Sequence, residues 1–149
     1  MAVTEARDVV IEATPGEIMD VLTDLETLTD WSPTHQKVEV LERDAEGRPS
    51  KSRQVVKIVG ITDEQVLNYT VYDDGVGWTL VSSKQQRAQT GRYTLTPDGD
   101  STQVRFELMV DPTVPLPGFL IKRGAKGLME TATKGLREQV LKVKKGRLS

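Results

Sequence analysis

The stretch PGFLIKRGAKGLMETATKGLREQVLKVKKGR, Pro117 to Arg147, decides how this chain is read. Advancing about 100° per residue from Leu120 gathers Ile121, Ala125, Leu128, Met129, Ala132, Leu136, Val140 and Val143 into roughly one third of the circumference, an apolar stripe of helical period. Lys122, Arg123, Lys126, Lys134, Arg137 and Lys144 fall mainly on the other side. Pro117 suits a first helical turn, where its missing N–H costs nothing. The spacing therefore predicts one long C-terminal helix. Gly124, Gly127 and Gly135 interrupt it, each costing about 1 kcal/mol relative to alanine in a helix interior. So many glycines imply close backbone approach, a bend, or empty space beside the helix.

Working back towards the N-terminus, the periodicity changes from helical to alternating. Thr102 to Val110 places Val104, Phe106, Leu108 and Val110 on one face. Gln85 to Thr96 places Gln89, Gly91, Tyr93 and Leu95 on one face, and Gly77 to Ser83 does the same with Trp78 and Leu80. Asp73-Asp-Gly75 and Pro97-Asp-Gly99 are hairpin signals between such strands. Thr62 to Tyr72, Ser52 to Val59 and His35 to Arg43 complete the run, with Gly60 permitting a tight turn. Ahead of them, Thr14-Pro-Gly-Glu17 is a capping box opening a helix that carries Ile18, Met19, Val21 and Leu22. Asp24 is placed to cap a second short helix, which Trp31-Ser-Pro33 ends because the residue before proline avoids the helical region. Arg7 to Ala13 is a first strand.

The order is strand, two short helices, about six antiparallel strands, long helix. Strands joined by short turns pair with their neighbours. The final helix is the large apolar surface left to cover one sheet face. The expected fold is α+β: a curved antiparallel sheet of six to seven strands wrapped around the C-terminal helix, as a single domain over 1–149.

Composition narrows the function. At 28% charged and 37% hydrophobic the chain reads as an ordinary globular protein, and no segment reaches the roughly 18 to 20 apolar residues of a membrane span. With no recognisable leader, the expected location is the cytoplasm. The absence of cysteine excludes disulfides, thiol nucleophiles and thiolate metal sites. Charge is uneven. From Gly118 onward there are nine Lys or Arg against two Glu, within a chain of net charge −2. A solvated helix face accounts for this. The sharper reading is peripheral contact of the basic helix with an anionic membrane, with nucleic acid the weaker partner. Nothing in the sequence sets an oligomeric state.

No catalytic constellation emerges. His35 is the lone histidine, expected exposed at a strand start, which argues against a metal site and against a general base. Asp73 and Asp74 belong to a turn. Gly75-Val-Gly77 is turn chemistry and not a nucleotide motif. No cofactor is expected.

Three segments carry a family resemblance: Thr14-Pro-Gly-Glu-Ile-Met19, the run from Asp24-Leu-Glu26 to Asp30-Trp-Ser-Pro33, and Lys37-Val-Glu-Val-Leu-Glu42. Together with the element order, they make the chain similar to the helix-grip (START-like, SRPBCC) superfamily. Within it they resemble the polyketide cyclase/dehydrase and lipid transport proteins, including coenzyme Q-binding START-like members, of actinobacterial type. The resemblance implies a deep cavity between sheet and last helix that receives a hydrophobic or amphipathic small molecule. It implies no shared catalytic motif, and some relatives act on the ribosome or other proteins.

The candidate lining residues are Trp31, Tyr69, Trp78, Leu80, Gln89, Tyr93, Phe106, Leu108, Phe119, Leu128, Met129 and Ala132. Lys122, Arg123 and Lys126 are candidates for the mouth. Plain core packing competes with lining for every aromatic. The leading expectation is a carrier or sequestering protein for a lipid, quinone or polyketide-like molecule. A cyclase/dehydratase using the same cavity ranks second, because inward strand positions read as mostly apolar, and a ribosome- or protein-interaction module docking through the basic helix ranks third.

Overall fold

The structure, a computed structural model, describes residues 2–148, with side chains through Arg147; Met1 and Ser149, the ends of the expected domain, lie outside the described residues. Strand β1 (Val3–Ile11) leads into helix α1 (Pro15–Leu22), a 3-10 turn (Leu25–Thr27) and the short helix α2 (Leu28–Trp31). Six strands follow: β2 (His35–Arg43), β3 (Pro49–Ile58), β4 (Ile61–Tyr72), β5 (Gly75–Ser82), β6 (Gln86–Asp98) and β7 (Ser101–Pro112). The chain ends in α3 (Gly118–Glu130), a π-helical turn (Thr131–Gly135) and α4 (Leu136–Leu148).

All seven strands form one antiparallel sheet in the order β1-β7-β6-β5-β4-β3-β2. Hairpins account for β2 to β7. The pairing of β1 with β7 closes the arrangement, so α1 and α2 carry the chain from one edge of the sheet to the other. The expected sheet-around-helix fold is therefore present.

Local chemistry explains the starts and turns. The Glu17 backbone N–H donates to Thr14 Oγ1 at 3.2 Å and the Thr14 N–H to Glu17 Oε1 at 2.9 Å, the reciprocal pair of a capping box. Asp24 does not cap: it makes no side-chain bond to the following turn, which is 3-10 and satisfies its own backbone. The β3–β4 hairpin turns through Val59 and Gly60, at φ 50° and 79°. Two successive positive φ values suit a right-twisted hairpin, but a β-branched residue is sterically strained there.

The core is densest at one end. Ile11, Ala13, Ile18, Val104 and Leu136 are fully buried, and Val140 and Leu95 nearly so. Here α4 packs against both α1 and β1. Thr102 Oγ1 donates to the Ala13 carbonyl at 2.7 Å, which ties the end of β1 to β7.

The long helix is continuous but not uniform. Its π turn widens the backbone and displaces one carbonyl from the regular ladder. Tyr93 Oη donates to the Ala132 carbonyl at 2.8 Å, supplying a partner from the sheet. Of the three glycines, Gly124 lines the space between sheet and helix, and each has its own surroundings. A Cβ at Gly124 would come 3.2 Å from Ile58 Cγ2, so this glycine lets the β3–β4 hairpin tip approach. Gly135 lies beneath Trp31, and Gly127 faces solvent.

Candidate functional site

Away from the dense end, sheet and helix separate around a two-lobed cavity. The inner lobe lies beneath α2 and the π turn, and its space free of protein atoms is about 890 Å³ including solvent at its open side. The outer lobe, about 1000 Å³ on the same footing, lies beneath α3 and the 112–116 connector. Val56, Ile58, Gln65, Gln86, Leu108, Val110 and Leu128 line both, so the lobes are contiguous. Both linings are mostly apolar with a few polar side chains, the make-up usual for small-molecule sites.

Aromatic rings form the floor of the inner lobe. Trp78 stands 5.7 Å from Tyr69 and 5.9 Å from Phe106, centroid to centroid, and Tyr93 lies 4.7 Å from Phe106. The Trp78 indole lies directly over Gly91, where a Cβ would fall 2.2 Å from the ring. Gly91 is thus required by close approach, and the absence of its side chain lets the ring lie flat on the sheet.

Most predicted lining residues meet here. Trp31, Tyr69, Trp78, Gln89, Tyr93, Phe106 and Ala132 line the inner lobe, Met129 the outer, and Leu108 and Leu128 both. Two do not. Phe119 is 70% exposed, because Leu120 and Ile121 take the inward places in the first turns of α3. Leu80 lies beyond the last β5–β6 pair, Thr79 with Thr90, and lines neither lobe. Lys122, Arg123 and Lys126 are exposed and contribute to neither lining.

The inward strand positions are more polar than the sequence reading expects. Ser52, Gln54, Asp63, Gln65 and Gln89 are all buried. They occupy two hydrogen-bonded groups. In the first, Ser32 Oγ contacts His35 Nδ1 at 2.7 Å, and His35 Nε2 contacts Gln54 Oε1 at 3.1 Å. Gln54 Nε2 donates to Tyr69 Oη at 2.7 Å and to Ser52 Oγ at 3.0 Å. Because the amide nitrogen is committed, its oxygen faces His35, which makes Nε2–H the donor and Nδ1 the acceptor of the Ser32 hydroxyl. His35 is therefore not the exposed residue expected. Burial pushes its pKa down to about 4, opposed by the bond to Gln54, so the ring is neutral at pH 7. Burial likewise pushes the Tyr69 phenol up to about 12.

In the second group, Trp78 Nε1 donates to Gln89 Oε1 at 2.8 Å, and Gln89 Nε2 to Gln86 Oε1 at 2.7 Å. A longer contact of 3.4 Å joins Gln89 Nε2 to Gln65 Oε1, and Gln65 Nε2 donates to Asp63 Oδ2 at 3.0 Å. Ser83 Oγ donates to the same Asp63 oxygen. Among the described residues, two buried side-chain polar atoms have no partner, Trp31 Nε1 and Asp63 Oδ1; Trp31 lines the inner lobe and Asp63 the outer. Among the described residues no Lys or Arg lines either lobe, whereas Asp63 and Glu5 both line the outer one.

The signal for these residues lay in strand parity. Asp63 and Gln65 share a face with Leu67 and Tyr69, and Ser52 and Gln54 share one with Val56. Ser32 and His35 carried no such signal, since their approach to Gln54 depends on how α2 meets the sheet.

The sequence matches the family described as polyketide cyclase / dehydrase and lipid transport over residues 2–142. The chain belongs to that family. Its fold is similar to that of a START superfamily protein from Mycobacterium smegmatis, at 26% identity and a TM-score of 0.84, over 94% of this chain and 98% of that one. A protein from Thermus thermophilus is similar at 24% identity and a TM-score of 0.77, over 96% of this chain and 99% of that one. An aromatase/cyclase from a Streptomyces species, strain R1128, shares the fold at 13% identity and a TM-score of 0.80, over 94% of each chain. No curated protein matches the sequence. Among the described residues, no helix is long and apolar enough to cross a membrane.

Proposed function

We propose that this protein binds a hydrophobic small molecule, a lipid, quinone or polyketide-like compound, in the two-lobed cavity and carries or sequesters it. The observation that carries this reading is the contiguous, largely apolar space between sheet and α3. A packed interior would have filled it, since voids cost stability. Apolar burial supplies affinity at about 25 cal/mol per Å² removed from water, and the polar groups on β3, β4 and β6 set orientation. Native mass spectrometry of freshly purified protein, with solvent extraction of bound material and titration with Nile red, tests it. Saturable binding of Nile red, or a co-purified hydrophobic mass, is expected. No binding of any apolar probe overturns the reading.

The carrier would meet its cargo at an anionic membrane. Phe119 and Val114 are 70% and 61% exposed, and Lys122, Arg123 and Lys126 are exposed on the same helix as Phe119. Apolar anchors beside cations suit an anionic interface. Salt-sensitive sedimentation with phosphatidylserine vesicles is expected, and absence of binding at low salt removes this part.

A cyclase/dehydratase is the second reading. It is favoured by Ser32, His35 and Asp63 facing the cavity. Against it, His35 is a weak base, with both ring nitrogens occupied and no carboxylate behind it. Product formation from a poly-β-keto thioester analogue, lost in His35→Gln while Nile red binding persists, would promote it over the carrier.

A further inference from the structure

The geometry points to Asp63 as the residue that selects the cargo: it receives a hydrogen-bond donor, an alcohol or amine group, on an otherwise apolar ligand in the outer lobe. The inference rests on the carrier reading and narrows its ligand class.

Asp63 is 6% exposed, yet it lines the outer lobe, on β4 opposite Val56 of β3. Its two carboxyl oxygens are treated unequally. Oδ2 receives both the Gln65 amide and the Ser83 hydroxyl, whereas Oδ1 is buried with no partner. The Ser83 hydroxyl oxygen in turn accepts the backbone N–H groups of Gln85 and Gln86 at 3.1 and 3.0 Å. Ser83 is therefore oriented by the backbone to donate towards Asp63. A structural tie between β4 and the β5–β6 connection needs one acceptor oxygen. A neutral side chain would provide it without leaving a second, buried oxygen unsatisfied, which costs stability. The unpartnered oxygen is thus the part of Asp63 that internal architecture does not explain.

The surroundings restrict what meets it. Among the described residues no cation pairs with Asp63, and no Lys or Arg lines either lobe. A carboxylate or phosphate on the ligand would face Asp63 and Glu5 without a counter-charge. A hydroxyl satisfies Oδ1 by hydrogen bonding, and an ammonium adds opposite charge. The shared chemistry is an apolar body bearing a donor.

Four ten-carbon probes test this by displacement of Nile red: 1-decanol, decylamine, decyl methyl ether and decanoic acid. The alcohol or the amine is expected to displace the dye at a concentration at least tenfold below the ether, and the acid to be weakest. A preference confined to the amine identifies charge, and one shared with the alcohol identifies the hydrogen bond. In Asp63→Asn the side-chain oxygen must face Gln65 and Ser83, which leaves the amide N–H in the place of Oδ1. The donor preference should then vanish or invert towards the ether. Equal displacement by alcohol, amine and ether in the unaltered protein overturns the inference and leaves the carrier reading standing. A donor preference unchanged in Asp63→Asn also overturns it. Failure of Nile red to bind removes the carrier reading, and this inference with it. Should Asp63→Asn not fold, the probe series on the unaltered protein still decides.

Discussion

The two halves of the C-terminal helix do different work although one apolar stripe runs through both. After the π turn, Leu136 and Val140 are 0% and 1% exposed against Ile11, Ile18 and Val104, with no space left between them. Before it, α3 buries one side chain completely, Met129, and its other inward residues overlook the cavity. The same periodicity thus serves as core in one half and as cover in the other. The π turn, held through Tyr93, marks the change. A hydrophobic stripe states which face turns inward; it does not state how much protein waits there.

Truncation gives the largest expected contrast. Leu136→Ala should cost about 2–5 kcal/mol, since a fully buried leucine leaves a cavity that neighbours cannot collapse into. Leu128→Ala, which only enlarges existing space, should cost under about 1.5 kcal/mol and instead alter Nile red affinity. Urea unfolding of both measures the difference, and equal losses would erase the distinction between the halves. Next, Gly91→Ala must displace the Trp78 ring, at about 1–3 kcal/mol of overpacking, with a shift in tryptophan emission. An unchanged spectrum would mean that the ring is not held over the sheet.

The polar side of the cavity adds a pH signature. The folded pKa of His35 lies near 4, below its ordinary 6.5, so the folded state favours the neutral ring and the unfolded chain binds the proton more readily. Stability from this site is full above about pH 6.5 and is lost as pH falls towards 4, by about 2 kcal/mol between pH 7 and pH 5. His35→Gln should flatten that part of the profile; superimposable profiles would place the ring in solvent. The smallest effect belongs to Phe119→Ser, expected within about 0.5 kcal/mol of unaltered stability because the ring is exposed, while reducing vesicle binding. A large loss of stability would make Phe119 a core residue after all.

These contrasts mark what could be read from the chain alone. Thr14-Pro-Gly-Glu17 announced the first helix because a capping box is local chemistry. Strand parity placed Trp78, Tyr93, Phe106 and Leu108 inward, and they do line the cavity. The same parity put Asp63 and Gln65 beside Leu67, but polar residues among apolar ones are easily passed over. Phe119 failed for a different reason: helical phase near an N-terminus depends on how the 112–116 connector docks. His35 failed because its burial comes from Ser32 and Gln54, 3 and 19 residues away in sequence.

Element order, family and most inward faces of strands and helix are legible in the chain alone, since each follows from spacing, turn chemistry or local caps. Tertiary structure alone decided where the inward surfaces fail to touch. It closed β1 against β7, split the helix into a packed half and a covering half, half-buried His35 without charge, and left one oxygen of Asp63 unpartnered. The physical reason is that contact and solvation depend on distances between segments remote in the chain, and periodicity carries no information about those distances.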